Sequence, residues 1–302
     1  MRIGVGLAEG AGPDPFGGLS EQIRQAAADG FASGWLSNIF GLDALTALAV
    51  AGRGVPGIEL GTAVMPTYPR HPAALAQQAL TAAAALDGRL TLGIGPSHKI
   101  VIDEMFGYSY DRPARHIQEY LAVLGPLLAG QPADFTGETL SGHLALTVPV
   151  PGPVPLLLAA LAPRMLKLAG EHADGTVLWM TGPATVASHV VPAITAAAQA
   201  AGRPDPRVVC ILPVCVTGDP DGARERAARV FSIYGQLPAY RAMLDREGAA
   251  GPADVAIVGD EQAVGAQVSR LADTGVTDFV ALEYARGGDA ARTREFLRSL
   301  LT

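Results

Sequence analysis

The stretch Ile58-Glu59-Leu60-Gly61-Thr62-Ala63-Val64 is followed by an alanine- and leucine-rich segment, Ala73 to Leu86, and then by Leu90-Thr91-Leu92-Gly93-Ile94. Two β-rich runs around a segment of helical period form the pattern of parallel strands joined by a crossover helix. The same alternation extends in both directions. Candidate strands are Arg2 to Leu7, Gly34 to Ser37, Ile58 to Val64, Leu90 to Ile94, Leu156 to Ala159, Thr176 to Trp179, Val208 to Thr217 and Phe279 to Leu282. Candidate helices are Leu19 to Asp29, Asp43 to Ala51, Ala73 to Leu86, Ala114 to Leu128, Arg164 to His172, Ala184 to Ala201, Pro220 to Tyr234 and Glu261 to Asp273, with another near the C-terminus. Asp43 is a possible N-cap, Pro72, Pro113 and Pro163 read as first-turn prolines, and Gly30 and Gly275 read as helix stops.

Eight strands alternating with about as many helices favour a closed barrel over an open sheet, so the expected fold is α/β, a (β/α)8 TIM barrel formed by residues 1–302 as one domain. The rhythm breaks twice. Gly130 to Val154, between the fourth and fifth strands, is a Pro/Gly-rich insertion with a hairpin expected around Phe135 to Leu146. Tyr234 to Asp254 precedes the last unit. Both are expected at the C-terminal face or rim, where barrel enzymes carry substrate loops, and whether the first closes as a lid is open.

Composition narrows the function. Of 302 residues, 49% are hydrophobic and 17% charged, which suits a well-cored globular protein. The net charge of −7 and the lack of a basic stripe argue against a nucleic-acid partner. Prolines at 149, 151, 153 and 155 interrupt the uncharged run from Leu144 to Pro163, so no membrane span is expected there. The start Met1-Arg2-Ile3-Gly4-Val5-Gly6-Leu7 reads as a strand rather than a signal peptide. Cys210 and Cys215 lie five apart on one strand and point to opposite faces, which fits neither a bridge nor a shared metal. Packing roles and a reducing, cytoplasmic setting are expected.

Several familiar motifs fail. The cluster Gly4, Gly6 and Gly10 is spaced GxGxxxG inside a strand, whereas a dinucleotide fingerprint sits at the strand-to-helix turn. Asp29, at about the right distance to follow such a fingerprint, closes a helix instead, and small residues packing in a barrel is the plainer reading. His71, His98, His116, His143, His172 and His189 show no ligand spacing, and His116 with Glu119 on one helix reads as a solvated face, so no metal site is expected. No GxSxG elbow and no P-loop occur.

Three stretches are informative: Leu60 to Pro72 with Gly61-Thr62-Ala63-Val64-Met65-Pro66-Thr67-Tyr68; Leu92-Gly93-Ile94-Gly95-Pro96-Ser97-His98, continuing through Met105-Phe106-Gly107-Tyr108 and Asp111-Arg112-Pro113 to Glu119; and Leu157 to Gly170, closely followed by Ala173-Asp174-Gly175 and Thr181-Gly182. In this order they resemble the luciferase-like monooxygenase superfamily, particularly its branch of oxidoreductases that use the deazaflavin coenzyme F420. The resemblance covers nearly the whole chain. It implies a barrel with an insertion, a homodimer, and either F420 or, alternatively, FMN as cofactor. It also implies a cis Ala63–Val64 peptide at a bulge that supports the cofactor's central ring.

The implied site residues follow the strand ends. Amides of Ala160, Leu161 and Ala162, before a helix that starts at Pro163, suit a phosphate, with Thr181 and Gly182 adding a hydroxyl and an amide. Relatives often carry glycines here, and an ordinary strand-to-helix turn is the alternative. Asn38 falls where the family places a polar residue near the ring, and Ile39 stands where its sugar-phosphate and alcohol dehydrogenases carry histidine. Gly95 and Ser97 leave space for a ring. His98 is the expected proton donor, since imidazole titrates near neutrality; the alternative is a solvated or helix-capping histidine, with Glu9, Tyr68, Glu104 and Tyr108 as fallback donors. The expected activity is hydride transfer between F420 and a small organic substrate, with reduction of an activated C=C or C=N bond favoured over sugar oxidation. The rivals are an FMN-dependent monooxygenase and a non-catalytic cofactor-binding protein.

Overall fold

A computed structural model describes residues 1–9, 13–149 and 152–301. Along the chain run β1 (Arg2–Leu7), α1 (Pro15–Asp29), β2 (Ser33–Leu36), α2 (Ala44–Gly52), β3 (Glu59–Thr62), β4 (Met65–Pro66), α3 (Pro72–Ala85) and β5 (Leu90–Gly95). Then come α4 (Pro113–Leu128), β6 (Ala133–Thr136), β7 (Ser141–Leu144), β8 (Leu156–Leu158), α5 (Pro163–His172), β9 (Gly175–Trp179), α6 (Pro183–Thr185) and α7 (Val191–Ala200). The chain ends with β10 (Arg207–Val216), α8 (Pro220–Val230), α9 (Pro238–Glu247), β11 (Ile257–Gly259), α10 (Glu261–Ala272), β12 (Asp278–Glu283) and α11 (Gly288–Ser299).

Among the described residues, eight parallel strands close into a ring in the order β1, β2, β3, β5, β8, β9, β10, β12. The ring shuts through parallel pairing of β12 with β1, Arg2 opposite Asp278 and Val5 opposite Ala281. This is the (β/α)8 barrel expected from the alternation. The boundary signals hold as well: Asp43 accepts the Thr46 amide as N-cap, Pro72, Pro113 and Pro163 open their helices, and Gly30 ends α1 in the left-handed region at φ 92°.

Side chains fill the ring from the floor upward. At the floor Arg207 holds Asp278 through two bonds of 2.9 and 2.7 Å and Glu59 at 2.7 Å. Above it sits Trp35, whose indole N–H donates to Ser33 Oγ at 2.9 Å. Trp35, Leu157, Val177, Val209, Ile211 and Val280 form the interior cluster, with Val64, Trp179 and Leu282 packed over it. Glycine at 61 is required because a Cβ there would overlap the Trp35 ring. Gly4 and Gly6 likewise face Ser33 and Leu282, so that part of the first glycine cluster packs; Gly10 lies outside the described residues. A separate, larger apolar cluster joins the outer strand faces to the helices. No helix among the described residues is long and apolar enough to cross a membrane.

Two expectations change. The insertion after Gly130 does not leave from the C-terminal rim. It begins where α4 ends, at the floor, because each crossover helix runs antiparallel to its strand. The hairpin β6–β7, with Ala133 opposite Leu144, climbs along α4, and near its turn the Ser141 carbonyl meets His71 Nε2 at 3.0 Å, beside the start of α3. Glu119 fixes that turn: its carboxylate accepts from the amides of Glu138, Thr139 and Leu140 and from Thr139 Oγ1. Burial alone would raise this carboxyl, but those donors overrule it and hold it down at about 2. Glu119 is therefore a buried anchor and His116, also buried, a packed ring, not a solvated face. Second, α8 is not the outer helix of the seventh unit. The chain from Gly218 to Val255 returns to pair β11 with Val214–Val216, the upper part of β10, and α10 makes the crossover. The segment containing α8 and α9 is thus a cap on the C-terminal face.

Candidate functional site

The third barrel strand is interrupted where the site begins. β3 stops at Thr62, the Ala63–Val64 peptide is cis as expected, and β4 resumes pairing with β5 at Met65 opposite Ile94. Thr62 bridges the gap with its side chain. Its hydroxyl donates to the Gly93 carbonyl at 2.8 Å and accepts from the Gly93 amide at 2.9 Å, replacing two ladder bonds. Val64 turns into the mouth over Gly93 and Gly95; a Cβ on Gly95 would stand 2.9 Å from Val64 Cγ2 and 3.1 Å from Ala159 Cβ. The room at Gly95 is therefore filled by Val64, so this glycine seats the bulge rather than leaving open space for a ring. Thr62→Val is expected to destabilise the fold by about 2–3 kcal/mol, since it strands a fully buried amide and carbonyl at constant side-chain size. A urea midpoint lowered with unchanged slope is the readout; an unshifted midpoint would refute the bridge.

Beyond β5, Ser97 lies at φ 62° and its carbonyl accepts from the Tyr110 hydroxyl at 2.9 Å. His98 follows, partly buried, with its ring 5.5 Å from that of Tyr240 on the cap. Burial pushes the His98 pKa below its usual value, so the ring is neutral at neutral pH. Its carbonyl accepts from the amides of Val101 and Ile102, opening a turn of π-helix over Ile100–Met105. Behind this loop Tyr110 stacks on Tyr68 at 5.4 Å and Tyr68 on His116 at 3.9 Å. His116 Nε2 lies 2.9 Å from Thr67 Oγ1, and burial, against the pull of Glu119, drives its pKa down to about 4. The stack ties α4 to both strand ends. The Tyr68 hydroxyl is buried without a hydrogen-bond partner among the described residues.

The remaining residues take these places. Asn38, after β2, accepts the Ala44 amide through Oδ1 at 2.9 Å, at the start of α2. At β8, Ala160 is buried, Leu161 partly buried and Ala162 exposed. Ala162 is the N-cap of α5 and supplies no side-chain acceptor, so the first amides of that helix carry no cap. Thr181 and Gly182 are put to other use. The Thr181 hydroxyl donates to the Trp179 carbonyl at 3.1 Å and is fully buried. Gly182 faces the Glu247 carboxylate, which accepts from the amides of Ala184 at 3.0 Å and Thr185 at 2.7 Å. A phosphate there would meet a carboxylate of like charge. Of the fallback donors, Glu9 lies against the Gly41 backbone, and Glu104 and Tyr108 are exposed. Cys210 and Cys215 are buried and unbridged.

Sequence reasoning missed the aromatic wall. Trp179 packs edge-on against Phe231 and Tyr234, Tyr234 against Tyr240, and Tyr240 against His98, all at centroid distances of 5.2–5.7 Å. The only local signal was the aromatic content of the Tyr234 to Asp254 break, and nothing local pairs it with a strand end.

The fold and site define a (β/α)8 barrel whose chemistry-bearing side chains gather at the C-terminal mouth. A model of the luciferase-like monooxygenase family matches residues 1–278, and the chain belongs to that family. It is 28% identical over 300 residues to a 5,10-methylenetetrahydromethanopterin reductase of Methanolobus tindarius, spanning 89% of this chain and 90% of that one. Among solved structures it resembles the coenzyme F420 dependent tetrahydromethanopterin reductase from Methanopyrus kandleri, with a TM-score of 0.81, 23% identity and coverage of 98% and 97%. It also resembles the oxygenating constituent of 3,6-diketocamphane monooxygenase from Pseudomonas putida, in complex with FMN, with a TM-score of 0.76, 18% identity and coverage of 100% and 97%.

Proposed function

We propose that this chain is an F420-dependent oxidoreductase that moves a hydride between the deazaflavin and a small organic substrate, reducing an activated C=C or C=N bond. The observation that carries the reading is a pairing at the mouth: the apolar Val64 platform, seated on Gly93 and Gly95, and the uncapped start of α5 two strands further round the ring. The platform suits the flat face of a ring and the bare helix start suits an anion. A relative named as a putative coenzyme F420-dependent oxidoreductase of Mycobacterium tuberculosis, 29% identical over 189 residues, supports the deazaflavin over FMN.

When bound, the deazaflavin supplies a ring carbon that gives or takes a hydride. The chain's own residues do the rest. Ala63 and Val64 back the ring, Asn38 offers its Nδ2 donor to a polar edge, and Gly95 and Ser97 shape the wall. The turn Ala160-Leu161-Ala162 with the first amides of α5 holds the phosphate. His98 delivers the proton that accompanies hydride arrival, and the aromatic wall keeps water from it. A homodimer working in a reducing cytoplasm completes the proposal.

Anaerobic absorbance titration with F420 and with FMN tests the assignment, followed by consumption of reduced F420 with a panel of enones and imines. Tight F420 binding with oxygen-independent turnover is the expected result. FMN binding with oxygen-dependent turnover would move the chain to the monooxygenases, and binding without turnover would make it a carrier. Ala162→Asp separates the anion site from an ordinary turn. Aspartate is a good N-cap, so the helix should hold or gain stability, while F420 affinity should fall at least about tenfold because the carboxylate takes the amides meant for phosphate. Unchanged affinity would mean that the phosphate sits elsewhere.

A further inference from the structure

The ends of β2 and β5 are separated in the ring by β3, yet the loops that follow them meet: the rings of Phe40 and Phe106 lie 6.5 Å apart. The two loops thus meet across the end of the third strand. What they present is apolar. Ile39, Phe40, Ile100, Met105, Phe106 and Tyr108 are between 42% and 63% exposed, an unusual gathering of large apolar side chains in water.

The second loop is not loosely hung. Ile102 is fully buried beneath it, Asp103 accepts the Tyr110 amide at 2.6 Å, and the Phe106 and Tyr108 amides donate back to Val101 and Ile102. Lys99 and Asp103 pair with each other, and Glu104 stands exposed beside Met105. The fold therefore holds these side chains out at the edge of the site, continuous with the mouth.

Building on the function proposed above, we infer that the substrate is amphipathic: a small unsaturated head that enters the mouth beside His98, and an apolar tail of several carbons that lies along Ile39–Phe40 and Met105–Phe106.

The test uses 4-n-alkyl-2-cyclohexenones with chains of one to eight carbons and two readouts on the full chain. Calorimetric titration of the protein without cofactor should show affinity rising with chain length, by up to about fourfold per buried methylene, with an increasingly negative heat-capacity change. In the double variant Phe40→Ser, Phe106→Ser, checked for retained fold by circular dichroism, that dependence should flatten. A wild-type affinity independent of chain length, or a dependence unaltered in the variant, would overturn the inference. So would a variant that turns from dimer to monomer by light scattering while keeping the dependence, because the patch would then belong to a second copy of this chain. Anaerobic oxidation of reduced F420 by the same series separates the two proposals. Turnover without a chain-length effect rejects the amphipathic substrate alone, and a chain-length effect in binding with no F420 oxidation rejects the cofactor assignment alone.

Discussion

Arg207→Met is expected to cost the fold about 3–5 kcal/mol, the loss seen when one partner of a buried ion pair is removed and the other stays behind. Arg207 makes a two-bond fork with Asp278, an ion pair with Glu59 and a contact over the Trp35 ring at 5.7 Å. Asp278 is 1% exposed, so without the guanidinium its charge has no water to turn to. Arg2 lies 3.4 Å from Asp278 but is half exposed and replaces only part of the loss. Guanidinium denaturation should show the midpoint falling with an unchanged slope. Asp278→Asn added to Arg207→Met should restore a large part of the stability, and a single variant as stable as the parent would show that the floor charges are solvated.

His98→Gln is expected to leave F420 binding intact and to lower turnover by about 10²- to 10⁴-fold, the usual worth of a positioned acid. Because burial depresses the His98 pKa, the protonated donor is populated only as the pH falls below the ordinary imidazole range. Turnover of substrate reduction should accordingly climb as the medium is acidified through that lowered value, and the limb should vanish in the variant. Normal turnover with the limb intact would pass the role to another titrating residue or to water; Tyr68 would not account for such a limb, because burial, helped by Tyr110 and the nearby carboxylates, raises its pKa.

The barrel was legible because strand and helix periods are local properties. Ile58 to Val64, Ala73 to Leu86 and Leu90 to Ile94 each carry their own signal, and eight such units leave little choice but to close. What was not legible is height along the barrel axis. Whether Gly130 to Val154 leaves from the rim or the floor, and whether α8 is an outer helix or a cap, depends on where the chain returns, which is set by pairings such as Ile257 with Val214 across more than forty residues. His116 and Glu119 share a helix face with Arg115 and Gln118 nearby and look solvated until the hairpin is laid over them. At the site, the glycines at 93 and 95 were visible, but not that Val64 occupies their space; that follows from the register of Met65 with Ile94. Thr181 and Gly182 looked like anion ligands because Glu247, more than sixty residues away, was not yet in view.

The two tryptophans stand at opposite ends of one column of side chains, and this gives the protein two built-in optical reporters. Trp35 is sealed at 2% exposure with its N–H bonded to Ser33, so its emission follows the integrity of the ring and is blind to solutes. Trp179 borders the mouth among Phe231 and Tyr234, within reach of whatever enters. With Trp35→Phe the emission that remains becomes a gauge of occupancy, and with Trp179→Phe it becomes a gauge of folding, so binding and unfolding can be followed separately in two unlabelled single-tryptophan proteins.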